Sequence, residues 1–225
     1  MIRINIFNQN HKLLSACLYD TALCLQKTDF INIYEAEVAI KKIEQALFLS
    51  NQLLQREQNL LTALDSNELG LVTILNEFQK EYFIHLQSLN AVLEYYDWSS
   101  LPENKTETGN LITRSFLKLM VTLIELMDKK ESDINTRLWN NYSDCQLITL
   151  LKNISGTIAE EQLIAESKMV INSINNQEVV NWLMLLKDCA SNRIFNSVLE
   201  MLEQQLPAWR WNQIQPKITE GVSVF

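Results

Sequence analysis

Residues 35–64, EAEVAIKKIEQALFLSNQLLQREQNLLTAL, decide the fold. Ala39, Ile43, Ala46, Leu49, Leu53, Leu60 and Leu64 fall at helical spacing, and Glu57 stands in the same seam. Steps of three and four put side chains on one face of a helix, whereas a half-buried strand would alternate every second residue. The stretch contains no Gly or Pro to break it. At ~1.5 Å per residue such a helix is about 45 Å long, a length that suits a long bundle.

The same period extends in both directions. Upstream, a helix is expected over about Asn8–Lys27, with Phe7, Leu14, Leu18, Ala22 and Leu25 on its apolar stripe and His11 among them. Downstream, Asp65-Ser66-Asn67-Glu68 predicts a turn and an acidic helix start. A third helix then runs to about Asp97 on Leu75, Phe78, Tyr82, Leu86, Leu89 and Leu93. Trp98–Thr108, rich in Ser, Pro, Asn and Thr, reads as the clearest loop. A fourth helix is expected over about Gly109–Asn140, with Ile112, Phe116, Leu119, Leu123, Leu126, Ile134 and Leu138 in register and Lys130 among them. Residues 1–141 therefore predict an all-α, up-down four-helix bundle.

Residues 142–217 are divided more finely. Ser143–Gln146 and Thr157–Glu160 fit capping boxes; Asn175-Asn176, Ser191-Asn192 and Pro207 add punctuation. Short helices packed on the bundle are expected here, with Trp139, Trp182, Phe195, Trp209 and Trp211 supplying bulk. Residues 218–225 read as a tail.

Composition narrows the function. Four Gly and three Pro in 225 residues leave almost nothing for a phosphate-cradling loop or a turn-rich sandwich. The net charge of −8, without a local basic patch, argues against nucleic acid. No apolar run reaches the ~18 residues of a membrane span, and the first residues lack a signal-peptide core, so a cytoplasmic protein is expected. Cys17, Cys24, Cys145 and Cys189 are scattered and read as buried reduced thiols. With only His11 and His85 available, no multi-histidine metal site or nucleophile–base pair can be picked out. No catalytic motif is present, and the expectation is a non-enzymatic protein.

His11, Glu57 and Lys130 are the polar residues on apolar seams. In one reading, a small phase error leaves Glu57 and Lys130 solvated, and His11 is an ordinary core imidazole. In the other, all three meet inside the bundle, where ammonium and imidazole satisfy a carboxylate too costly to bury alone.

A family resemblance bears on the choice. His11-Lys12-x-Leu14 resembles the opening motif of hemerythrin-like (HHE cation-binding) domains. Tyr19-Asp20-Thr21-Ala22-Leu23, Gln26-x-Thr28-Asp29-Phe30 and Glu35-Ala36-Glu37-Val38-Ala39 resemble a bacterial branch of that family with a carboxy-terminal helical extension. So do Leu138-Trp139-x-x-Tyr142-Ser143-Asp144-x-Gln146-Leu147, Asn175-Asn176-x-Glu178, Trp182-Leu183 and Leu206-Pro207-Ala208-x-Arg210-Trp211. The resemblance covers nearly the whole chain and implies a four-helix bundle. It also implies iron ligands at positions held here by His11, Leu53, Glu57, Tyr82, Leu86, Leu126 and Lys130. Leu53, Tyr82, Leu86 and Leu126 are former ligand positions now non-ligating, and His85 is one residue out of place. Leucines at these positions would refill the site with apolar volume, and Lys130 would supply the lost positive charge opposite Glu57.

Three functions follow as expectations. The first is a metal-free, degenerate hemerythrin-like protein without a cofactor, acting as an interaction, regulatory or scaffolding module on an unknown protein partner or by self-association. The second is a non-haem iron protein with an altered site, built from Tyr82, Glu57, His11 and His85, that handles oxygen, nitric oxide or iron. The third is a carrier of a small molecule in a cavity inside the bundle.

Overall fold

A computed structural model describes residues 3–64, 70–98, 101–155 and 160–219; side chains at 97–98, 153–155, 160–162 and 189 are not described. The described chain is all-helical. Its long helices are α1 (Asn8–Lys27), α2 (Ile33–Leu64), α3 (Leu71–Trp98) and α4 (Pro102–Lys129). A π-helical turn, Lys130–Ile134, follows α4 directly and leads into α5 (Asn135–Asn141). Then come α6 (Asp144–Ser155), α7 (Glu160–Ser173), α8 (Asn176–Cys189), α9 (Asn192–Gln205) and α10 (Ala208–Thr219). No helix among the described residues is long and apolar enough to cross a membrane. The turn expected at Asp65–Glu68 and the capping box expected at Thr157–Glu160 lie outside the described residues.

The chain divides into two compact units, one of Leu14–Arg137 and one of Met1–Leu13 with Leu138–Phe225. The division falls at Arg137/Leu138, against the 141/142 boundary expected from the sequence, and the first thirteen residues cluster with the later part of the chain.

Within Leu14–Arg137, α3 packs on both α2 and α4. The seam of α2 is buried as its spacing predicts, from Ala36 through Leu64 with Glu57 included. The connection from α1 to α2 is set by local polar bonds. The Asn32 side chain accepts from the Tyr34 N–H, and Glu35 reaches back to the Asp29 N–H, which ties off the start of α2. This connection tucks Phe30 inward. Its ring meets the Tyr96 ring edge-on at 5.8 Å, and the Tyr96 hydroxyl donates to the Phe30 carbonyl at 2.9 Å.

The start of α4 differs from the expectation. Of the loop expected over Trp98–Thr108, residues 99–100 lie outside the described residues, and the rest is largely helical: α4 begins at Pro102, and Thr108 is buried in its second turn. Pro102 sits in the first helical turn, where its missing N–H costs nothing. Gly109 lies inside the helix, and a Cβ there would come within 2.2–2.6 Å of the Phe30 side chain. Its role is close approach, not termination.

The other expected boundary also moves. The helix expected over Gly109–Asn140 is interrupted by the π-turn, where the Asn135 N–H donates to the Lys130 carbonyl. Leu126, Lys130, Ile134 and Leu138 are all buried at successive steps of four. An ideal α-helix would rotate such a series off the core, and the wider π-turn takes up the drift.

In the other unit, α8 is central, touching α6, α9 and α10, while α7 packs on α9. Val179, Val180, Trp182, Leu183 and Leu186 bury its inner face. Its start is a complete capping box between Asn175 and Glu178, and Ser191 caps α9. Ser143 and Gln146 likewise bond reciprocally at the start of α6. Trp182, Phe195 and Trp211 are buried and Trp139 half-buried, but Trp209 is 64% exposed, against the expectation that it supplies core bulk.

Two arginines close helix ends in this unit. Arg3 donates to the carbonyls of Trp139 and Tyr142, at 2.9 and 2.7 Å, and pairs with Asp144. Arg210 donates to the carbonyls of Ile171 and Ile174, at 2.7 and 2.6 Å, and to the Asn176 side chain. The last carbonyls of a helix have no partner within it and carry the negative end of its dipole, so a guanidinium fork suits them.

Candidate functional site

The candidate site lies in Leu14–Arg137, where α2 and the start of the π-turn each carry a charge into the core. Glu57 follows Leu53 by one turn and precedes Leu60 and Leu61, all of them buried. Lys130 opens the π-turn, with its N–H shared between the carbonyls of Leu126 and Met127. The Lys130 ammonium donates to Glu57 Oε2, and the two side chains are 2% and 3% exposed. Of the two readings of these residues, the solvated one does not hold. A buried carboxylate or ammonium alone costs several kcal/mol, roughly, and each charge here offsets that cost for the other.

His11 is buried too, but it belongs to the unit formed by Met1–Leu13 and Leu138–Phe225. Its imidazole stacks on the Phe7 ring at 5.4 Å with an interplanar angle of 8°. The structure thus pairs Glu57 with Lys130 and describes His11 with its own unit.

The remaining positions are as apolar as their residue types imply. Leu53 and Leu126 are buried, while Leu86 is half-buried. Tyr82 is fully buried and donates its hydroxyl to Asn51 Oδ1 at 2.8 Å. Burial pushes its phenol up to about 12, which works against a phenolate ligand. His85 is only partly covered and faces Glu81 at 3.8 Å, one helical turn away on its own helix. Among the described residues no group of three or more His, Cys, Asp or Glu is placed to hold a metal ion.

The metal centre implied by the family resemblance does not fit this donor set. A cation-binding site needs several lone pairs converging on one point. Here the Glu57 carboxylate is engaged by an ammonium, and Leu53 and Leu126 offer no lone pair. Cys17 and Cys24 are half-buried and Cys145 exposed, so the expectation of buried thiols fails for these three. Burial, with the nearby Asp20 charge, pushes the Cys17 thiol up and away from thiolate reactivity.

Another feature was not read from the sequence. On the surface of Leu14–Arg137, an open groove of about 440 Å³ runs between α1 and α4, lined by Tyr19, Ala22, Leu23, Gln26, Thr113 and Leu117. Its signal was available: Tyr19, Leu23 and Leu117 stand outside the apolar seams assigned to their helices. Comparison with known proteins adds no assignment, since no family model, no curated protein and no solved structure matches the chain.

Proposed function

We propose that the four long helices form an up-down, hemerythrin-like bundle whose metal site has been replaced by the Glu57–Lys130 pair. On this reading the protein is a non-enzymatic, metal-free module that works in the cytoplasm by interaction, regulation or scaffolding. The α6–α10 region is the carboxy-terminal helical extension that the resemblance implies.

The observation that carries the proposal is the buried ammonium on the Glu57 carboxylate. A tethered cation at a carboxylate competes directly with any metal ion there, by like-charge repulsion at close range. The iron-binding alternative has less support, because Tyr82 is held as a neutral phenol by burial and its bond to Asn51. The carrier alternative requires an enclosed cavity, whereas the groove described above is open at the surface.

Metal analysis of protein produced with excess iron, followed by anaerobic ferrous loading and visible spectroscopy, tests the proposal. Sub-stoichiometric iron and no charge-transfer band are expected. One or more tightly held iron ions per chain would overturn it.

A further inference from the structure

The outer face of α4 carries a pattern that the metal-free reading does not use. Arg114, Leu117, Val121 and Glu125 follow one another at steps of three, four and four. At ~100° per residue they lie within about 80° of one another. The buried seam of the same helix, Ile112, Phe116, Leu119 and Leu123, occupies the opposite side. Leu117 and Val121 are 38% and 50% exposed, and across the groove Tyr19 and Leu23 of α1 are 51% and 54% exposed. Arg114 and Glu125 are exposed and make no ion pair among the described residues.

The order of these residues is self-complementary. A positive charge, two apolar side chains and a negative charge follow along one straight helix. Turn a second copy by a twofold axis level with residue 119, and its α4 runs antiparallel to the first. Leu117 then faces Val121 of the second copy, and Arg114 faces Glu125 of the second copy, with every contact made twice. This is the signature of an isologous interface, in which one patch recognises itself.

We infer that this face of α4, widened by Tyr19 and Leu23 of α1, joins two copies of the chain in a twofold-symmetric dimer. Charge complementarity selects a second copy over an unrelated partner, because the patch contains its own matching charges. It also keeps the contact locally neutral between two chains that each carry −8. The stripe from Arg114 to Glu125 runs about 17 Å along α4 at ~1.5 Å per residue, which puts the dimer contact at the small end of specific interfaces. The dimer is accordingly weak and concentration-dependent. The inference does not depend on the metal-free reading, since the face is the same whether or not the interior holds a metal.

Sedimentation equilibrium of the full chain tests it over about 1–200 µM, a range that brackets the affinity such a small interface supports. Wild type is expected to pass from monomer to dimer across this range, and Val121→Lys to remain monomeric. Arg114→Glu and Glu125→Arg, both at exposed positions, are each expected to weaken the dimer by roughly tenfold or more. Mixed in equal amounts, these two variants should form a heterodimer about as tight as wild type, because every facing charge is then opposite. Circular dichroism checks that each variant is folded. A wild type that stays monomeric throughout overturns the inference. So do single reversals without effect, and a mixture no tighter than either variant alone.

Discussion

In Leu14–Arg137 a buried ion pair joins two long helical segments from the inside. In the unit of Met1–Leu13 and Leu138–Phe225, two arginines, Arg3 and Arg210, reach far along the sequence to helix ends and close carbonyls that short helices leave open. Helix length accounts for the difference. A long helix has few ends per residue and gains its stability from a continuous apolar seam, so a polar residue in that seam must find its partner inside. Short helices multiply the ends, and each end brings orphan N–H and C=O groups to satisfy.

The largest effect that sharpens this contrast is expected at Lys130. Lys130→Met takes the ammonium away from the buried Glu57 carboxylate and should cost about 3–5 kcal/mol in urea unfolding. Glu57→Leu combined with Lys130→Met removes both charges and should return the stability to wild type or slightly above it. A single variant losing less than about 1 kcal/mol would show the pair to be solvent-screened, and the contrast would fail.

A smaller effect is expected in the other unit. Arg210→Ala removes the bonds to Ile171, Ile174 and Asn176 and should cost about 2 kcal/mol. Arg210→Lys should recover little, because an ammonium cannot span two carbonyls as the planar fork does. Full recovery by lysine would mean that charge alone, not helix-end geometry, holds this unit.

The smallest effect is a pH dependence. Burial by itself pushes the Glu178 carboxyl up, but hydrogen bonds from Lys12, the Asn175 N–H and Asn8, with the Lys12 charge, hold it below its ordinary value. A carboxyl lowered in the folded state contributes stability above its unfolded pKa, and loses that contribution as the pH falls through the folded one. Unfolding midpoints should therefore drop below the ordinary glutamate range, and Lys12→Met should flatten that drop. An unchanged acid limb in Lys12→Met would remove this bond from the account.

The sequence revealed what is local and periodic. The three- and four-residue spacing locates α1, α2 and α3 to within a few residues, and it marks Glu57 and Lys130 as seam positions. It misplaced the start of α4 because Pro102 and Gly109 have more than one use. Proline breaks a helix interior but suits its first turn, and this glycine answers to the Phe30 ring rather than to its own backbone. The π-turn left a trace in the repeated steps of four from Leu126 to Leu138, which a single helix cannot keep on one face. Other features had no local signature. That residues 1–13 cluster with residues 138–225, and that Arg3 and Arg210 reach distant carbonyls, depends on contacts far apart in sequence.

The buried ammonium has a consequence in mass action. A metal ion that stabilises a fold does so through a binding equilibrium, so stability then follows the free-ion concentration and a chelator can withdraw it. Lys130 is joined to its site by peptide bonds and has no dissociation constant to be exceeded or starved. The positive charge opposite Glu57 is therefore present in every folded copy of the chain, whatever metal the surroundings supply.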